Sequence, residues 1–233
     1  MFTIILPTYN EYQNIEKLIP TLLKLFRKYK LNGNILIIDD NSHDGTGILA
    51  ERFSKIYKSV KVIHRPKKSG IGSAYIKGFK QSLDSDIVFE MDSDFSHNPK
   101  YIIRFLDAIR DADVVTGSRY IPGGSIHNWS ISRKAISFFG NLSAKLFLRL
   151  PVMDCTTGYR AIRTKCLRRI DMDKIDVQGY AFQVKLLLEL RQAGAKIIEI
   201  PITFEERRFG SSKLGIKDIL EFILMILEAR LNI

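Results

Sequence analysis

The chain has 233 residues, enough for one large α/β domain or two small ones. Its composition, 45% hydrophobic and 26% charged, fits a globular protein with a sizeable core and excludes a low-complexity chain. A formal charge of +11 calls for an anionic partner: nucleic acid, an acidic membrane surface or a phosphorylated substrate.

The first half alternates short β-branched runs with longer amphipathic ones. Strands are expected at Phe2 to Leu6, Asn34 to Asp39, Val60 to His64, Asp86 to Met91 and Asp113 to Gly117. Helices are expected between them, at Tyr12 to Tyr29, Thr46 to Tyr57, Ile71 to Leu83 and Pro99 to Arg110. This alternation predicts a Rossmann-like α/β fold, a mostly parallel sheet with helices on both faces. Beyond Ser118 come a Gly-rich turn, a helix from Ser132 to Leu150, and a loop carrying Asp154 to Arg160. A helix from Tyr180 to Ala193, a strand near Lys196 to Ile200, a basic loop from Arg207 to Lys213 and an apolar helix complete the chain. The simplest division is a catalytic unit over 1–213, with the C-terminal helix of 214–233 belonging to the same domain.

Ligands of such sheets lie at the carboxyl ends of the strands, where this sequence puts its paired acids. Asp92 and Asp94 follow the fourth strand, separated by one residue. Carboxylates so close repel unless a proton or cation compensates, and a divalent oxygen-seeking metal is the usual answer. For an isolated D-x-D, a solvated acidic turn is the better reading. Asp39 and Asp40 end an apolar strand where a base or ribose could dock, while Asp44 suits a cap for the next helix. Pro7, Tyr9 and Glu11 close the first strand; Tyr9 could stack on a base, or the segment could be a turn in which Asn10 caps a helix. Arg119, Arg133, Arg207 and Lys213 form a basic series beside Gly or Ser, suited to phosphate.

The order of these pieces is more specific than any one of them. Leu6-Pro7-Thr8-Tyr9-Asn10-Glu11, Ile37 through Ser42, Asp92-Ser93-Asp94 and Gly117-Ser118-Arg119-Tyr120 together resemble family 2 glycosyltransferases. Gly70 to Tyr75, Phe95 to Pro99, Thr157 to Arg160, Gly179 to Gln183 and Arg207 with Ser212-Lys213-Leu214 resemble the dolichol-phosphate mannose synthase branch. The resemblance implies an A-type glycosyltransferase fold and a hexosyltransferase using GDP-mannose or UDP-glucose. Pro7, Tyr9, Glu11 and Asp39 would line its nucleotide pocket, with Asp92, Arg207 and Lys213 also on the donor. Asp92, Asp94 and Ser96 would hold Mg2+ or Mn2+; some relatives carry Gln where Ser96 stands. Arg119, Arg133 and Ser212 would meet the phosphate of a dolichyl or polyprenyl acceptor, with Asp92, Asp94, Arg119 and Arg133 as the catalytic set.

Between Asp113 and Asp154 there is no acidic residue, and Ile136, Phe139, Leu142 and Leu146 recur there at helical spacing. Both a helix lying in a membrane interface and one packed on the sheet fit that pattern. No apolar run approaches the roughly 20 residues of a membrane span, no signal-peptide pattern opens the chain, and two cysteines suit a reducing compartment. Placement at the cytoplasmic side of a membrane, with a small membrane-anchoring subunit as a further partner, is the resulting expectation. Two rivals compete with it. A saccharide-directed transferase would ordinarily need a carboxylate base, and a basic nucleic-acid-binding module would leave the paired acids without a purpose; no nucleic-acid partner is expected.

Overall fold

The computed structural model describes residues 1–205 and 216–231, so Arg207, Ser212 and Lys213 lie outside the described residues. In chain order the strands are β1 (Phe2–Thr8), β2 (Gly33–Asp39), β3 (Val60–His64), β4 (Ile87–Glu90), β5 (Val114–Ser118), β6 (Ser125–Ile126), β7 (Arg160–Arg163), β8 (Ile197–Pro201) and β9 (Thr203–Phe204). The helices are α1 (Tyr12–Lys28), α2 (Thr46–Ile56), α3 (Ile71–Gln81), α4 (Ile102–Ala108), α5 (Ile131–Phe147), α6 (Thr164–Leu167), α7 (Gly179–Gln192) and α8 (Ile216–Leu231). Seven strands form one sheet in the order β3-β2-β1-β4-β7-β5-β8, and β6 pairs with β9 in a small second one. All pairs in the large sheet are parallel except those of β7, which runs antiparallel to both β4 and β5.

Successive residues of a strand face opposite sides, and the central strands are apolar on both. Ile4 and Leu6 of β1 and Ile35 and Ile37 of β2 pack with Ile15, Leu18 and Leu22 of α1. Ile5, Leu36 and Ile38 point the other way, toward Tyr75 and Phe79 of α3 and Phe182 of α7. Each fully buried side chain of this kind stabilises the fold by about 1.5–3 kcal/mol. Helix α7 is apolar nearly all round, with Phe182, Val184, Leu186, Leu187, Leu188 and Leu190 all buried, because it lies between the sheet and α8. Gly78 lets α3 approach β1: a Cβ there would sit 2.5 Å from Ile5 Cγ2.

Two sequence expectations need correction. The segment ending at Arg160 is not all loop, since Arg160–Arg163 is a central strand of the sheet. Asn10 does not cap α1 either. It takes a left-handed conformation (φ 58°) and accepts from the His43 amide, while Asp44 reaches across to accept from the Tyr12 amide at 3.0 Å. Asp44 also accepts from the Thr46 amide and hydroxyl, so one carboxylate joins the starts of α1 and α2.

Candidate active site

Asp92 and Asp94 leave β4 at its carboxyl end, in a loop fastened on every side. Ser93 Oγ donates to the Pro7 carbonyl at 3.1 Å, tying the loop to the end of β1. Phe95 turns the chain with φ 66°, and Ser96 donates through both its amide (3.0 Å) and hydroxyl (2.6 Å) to Asp94 Oδ1. His97 is 1% exposed and stacked on Tyr159, and its Nδ1 accepts from the Asp92 amide at 3.0 Å. Accepting there leaves the ring neutral, with its proton on Nε2; burial pushes its pKa below the usual histidine range, in agreement. Tyr75 Oη donates to Asp92 Oδ1 at 3.4 Å. Burial, and then Asp92, raise that phenol well above its ordinary value, so it stays a donor.

Under the acids lies a charged layer that the motif reading assigned to no role. Glu90 is fully buried, with Arg160 Nη1 3.6 Å away, and burial raises its pKa to about 7 against the opposing pull of Arg160. Arg160 donates to the Gln183 carbonyl, the Gln183 side-chain oxygen and the Cys155 carbonyl at 2.7–2.8 Å. A Cβ at Gly158 would stand 3.0 Å from Gln183 Nε2 and 3.7 Å from Asp92 Oδ1, so Gly158 is the gap through which this layer meets the acid loop.

The crevice between the ends of β1 and β2 gathers residues that the sequence reading expected to line a nucleotide pocket. Asp39, 2% exposed, accepts from Thr8 Oγ1 at 3.2 Å and from Ser42 Oγ at 2.6 Å. Tyr9 is half-buried beside it, with Lys68 Nζ 4.0 Å from its ring centroid. The Glu11 amide donates to Thr46 Oγ1 at 2.9 Å, so the entry to α1 rests on the start of α2. Asp40 is held by Arg65 in a two-toothed ion pair and accepts from the Ser69 amide. Its carboxylate therefore braces the loop before α3. Lys68 was absent from the sequence-derived set.

On the other side of the acids, Arg119 leaves β5 and is buried. Its Nε and Nη2 each meet Asp154 at 2.7 Å, and Nη2 also donates to Thr156 Oγ1 at 2.9 Å. Burial alone would lower its pKa, but Asp154 outweighs that and raises it. Arg133, in the first turn of α5, stacks on Trp129 with Cζ 3.9 Å from the ring centroid. Asn141, buried on α5, accepts from the Cys155 and Thr156 amides at 2.7 and 3.0 Å and donates to Thr156 Oγ1 at 3.0 Å. The loop that holds Arg119 is thus hung from a polar residue of α5.

That placement settles which side of α5 faces in. Asn141 and Ala144 are its buried residues, while Ile131, Ile136, Phe139, Leu146 and Phe147 are between 49 and 87% exposed. Leu220, Ile223, Leu224, Leu227 and Leu231 of the neighbouring α8 are exposed as well. A groove of about 450 Å³ opens on α5, lined by Ile126, Ile131, Ala135, Phe138 and Phe139 together with Arg119, Tyr120 and Lys134. No helix of the described residues is long and apolar enough to cross a membrane.

The acid pair fits a hard divalent cation. Asp92 is 26% exposed at its side chain and Asp94, 4% exposed, accepts from Ser96, so the two acids lie one residue apart in the loop at the end of one strand. Among the described residues no group of three His, Cys, Asp or Glu side chains converges on a point. Two protein carboxylates completed by phosphate oxygens and water are a coordination that suits Mg2+ or Mn2+. The Ser96 hydroxyl donates a hydrogen bond to Asp94 at 2.6 Å, and its oxygen keeps its lone pairs.

With strand order, acid loop and basic side in place, comparison with known proteins identifies the chain. The pattern of Glycosyl transferase family 2 matches residues 3–171. The chain belongs to that family. This family 2 glycosyltransferase is 44% identical over 213 residues to an undecaprenyl-phosphate mannosyltransferase of Micrococcus luteus, covering 91% of this chain and 86% of that one. It is 38% identical over 229 residues to a polyprenol monophosphomannose synthase of Mycolicibacterium smegmatis, covering 97% and 85%. Among solved structures it resembles a Mycobacterium tuberculosis glucosyl-3-phosphoglycerate synthase bound to Mn2+, UDP and phosphoglyceric acid, with TM-score 0.71 at 19% identity over 99% of this chain and 78% of that one. A mannosyl-3-phosphoglycerate synthase from Rubrobacter xylanophilus gives 0.69 at 17% identity, over 99% and 72%. Those likenesses establish the A-type glycosyltransferase fold for the family 2 enzyme.

Proposed function

We propose that this glycosyltransferase transfers mannose from GDP-mannose to the phosphate of a polyprenyl or dolichyl chain, with Mg2+ or Mn2+ and with inversion at the sugar. The observation that carries the acceptor is the groove on α5: its apolar lining suits prenyl units, and Arg119 and Lys134 beside it suit a phosphate. The names of the two closely matching relatives support the mannosyl group and a lipid-phosphate acceptor. The exposed apolar side chains of α5 and α8 support work at a membrane surface, which is where such an acceptor resides.

In this reading Asp39, Glu11, Tyr9 and Pro7 hold the nucleotide, with Lys68 near enough to Tyr9 to join them. Asp92 and Asp94 would hold the cation, and Arg207 and Lys213 would bind the donor diphosphate. The cation supplies charge neutralisation of the leaving diphosphate when bound. The acceptor needs no strong base, because a phosphate monoester with a second pKa near ~6 is mostly dianionic at neutral pH. Its oxygen attacks the anomeric carbon as the bond to the diphosphate breaks, and no proton has to move in that step. Arg119, Arg133 and Ser212 would orient that phosphate. Asp154 fixes Arg119 in place, so its charge is presented without reorganisation.

An acceptor series tests the assignment. With GDP-mannose and Mn2+ or Mg2+, farnesyl phosphate should be mannosylated and glycerol 3-phosphate should not. Equal transfer to both would remove the groove from the account and point to a water-soluble acceptor.

A further inference from the structure

The chain contains one tryptophan. Trp129 immediately precedes α5, is 8% exposed, and packs edge-on against Phe204 with centroids 5.3 Å apart. Two guanidinium groups share its ring: Arg133 Cζ lies 3.9 Å from the centroid and Arg119 Cζ 5.5 Å. An indole attracts cations to its faces more strongly than any other side-chain ring. Ser130 caps α5 by accepting from the Arg133 amide at 3.3 Å, which sets Arg133 in the first turn, next to Trp129. The indole Nε1 is buried and has no hydrogen-bond partner among the described residues, although buried donors are normally paired. The ring, and not its polar edge, is therefore what the fold uses at this position.

We propose that Trp129 is a positioning residue: its ring clamps Arg133 beside Arg119, so that two cations converge on the acceptor phosphate. Asp154 fixes Arg119, and the indole face holds the Arg133 guanidinium beside it. Phenylalanine offers a weaker face and leucine none, so substitution should grade the effect. The proposal rests on the reading of Arg119 and Arg133 as acceptor-phosphate groups.

Two measurements test it, using the full chain. The first is the emission of the single tryptophan, which reports the clamp without any acceptor. Arg133→Ala should change its intensity or maximum; an unchanged spectrum overturns the clamp. The second is steady-state transfer from GDP-mannose to undecaprenyl phosphate in detergent micelles. Trp129→Leu should raise the acceptor KM at least 10-fold and leave the GDP-mannose KM within twofold, with Trp129→Phe between it and wild type. Adding Trp129→Leu to Arg133→Ala should change the acceptor KM by less than twofold. Effects that multiply, or a Phe variant as impaired as the Leu variant, overturn the proposal. An emission change in Arg133→Ala with an unaltered acceptor KM keeps the clamp and overturns the phosphate reading instead. Should Trp129→Leu fail to fold, Trp129→Phe and the emission of Arg133→Ala carry the same decision.

Discussion

The backbone amide of Asp92 donates to Nδ1 of His97 at 3.0 Å, so the first acid of the D-x-D pair is set by a buried imidazole five residues further on. Tyr159 stacks on that imidazole, with centroids 4.8 Å apart, and locks its plane. The carboxylate that faces the crevice is thus positioned from beneath, through main chain, ring and ring.

His97→Phe keeps the stacking and deletes the acceptor, whereas His97→Asn can restore an acceptor. The Phe variant should lose about 10–100-fold in kcat, the scale expected when a reacting group is displaced by up to an ångström. It should also lose roughly 1–3 kcal/mol of stability from the unpaired Asp92 amide. The Asn variant should recover part of both. Steady-state kinetics beside denaturant melts check this, and equal kinetics for Phe and wild type would remove His97 from the support of the site.

Asn141→Ala should unfasten the loop that carries Asp154 and Thr156. Two buried amides lose their acceptor, at about 1–3 kcal/mol each. Because Asp154 and Thr156 hold Arg119, the loss should appear in the acceptor KM while the GDP-mannose KM stays close to wild type. A donor defect of similar size would contradict that division of the site.

A pH effect follows from Asp44. Burial by itself would raise its carboxyl, but bonds from the Thr46 hydroxyl and from the Tyr12 and Thr46 amides outweigh burial and hold it below its ordinary value of 3.8. Between the folded and unfolded values the unfolded chain binds more protons, so stability rises with pH there. The contribution of Asp44 is complete above pH 3.8 and fades as the pH falls through the lower folded value. Asp44→Asn should therefore melt below wild type at pH 7, with the gap closing toward pH 3. A gap that persists undiminished at pH 3 would contradict the assignment.

Surface exposure on α5 and α8 leads to a binding prediction. Phe139 is 62% exposed and Leu224 59%, so glutamate at both positions should leave the melting temperature nearly unchanged. Co-sedimentation with vesicles of anionic phospholipid should nevertheless fall several-fold, through lost apolar burial and added negative charge. Unaltered sedimentation would place the membrane contact elsewhere.

The strands of the first half were legible because short β-branched apolar runs alternate with amphipathic ones, and acidic pairs follow the second and fourth of them, at ends where the crevice forms. Strand β7 was not. It has only four residues and carries Arg160 and Arg163, charged side chains whose internal partners the sequence does not show. Arg160 spends its donors on Gln183 and Cys155, and Arg163 spends its own on the Ile109 and Ala112 carbonyls. Such partners are distant in sequence, as Asp154 is from Arg119, and spacing carries no record of them. The periodicity of α5 showed two unlike faces but not which one turns inward. Asn141 decides that by feeding the hydrogen bonds of a loop that the helix itself does not contain.

Transfer of labelled sugar to undecaprenyl phosphate tests the central claim most directly, with GDP-mannose and UDP-glucose offered separately, with and without EDTA, to the wild type and to Asp92→Asn. The account predicts a lipid product from GDP-mannose, lost with EDTA and reduced at least 100-fold in Asp92→Asn. Product from UDP-glucose alone would contradict the donor, and a fully active Asp92→Asn enzyme would contradict the role of the acid pair.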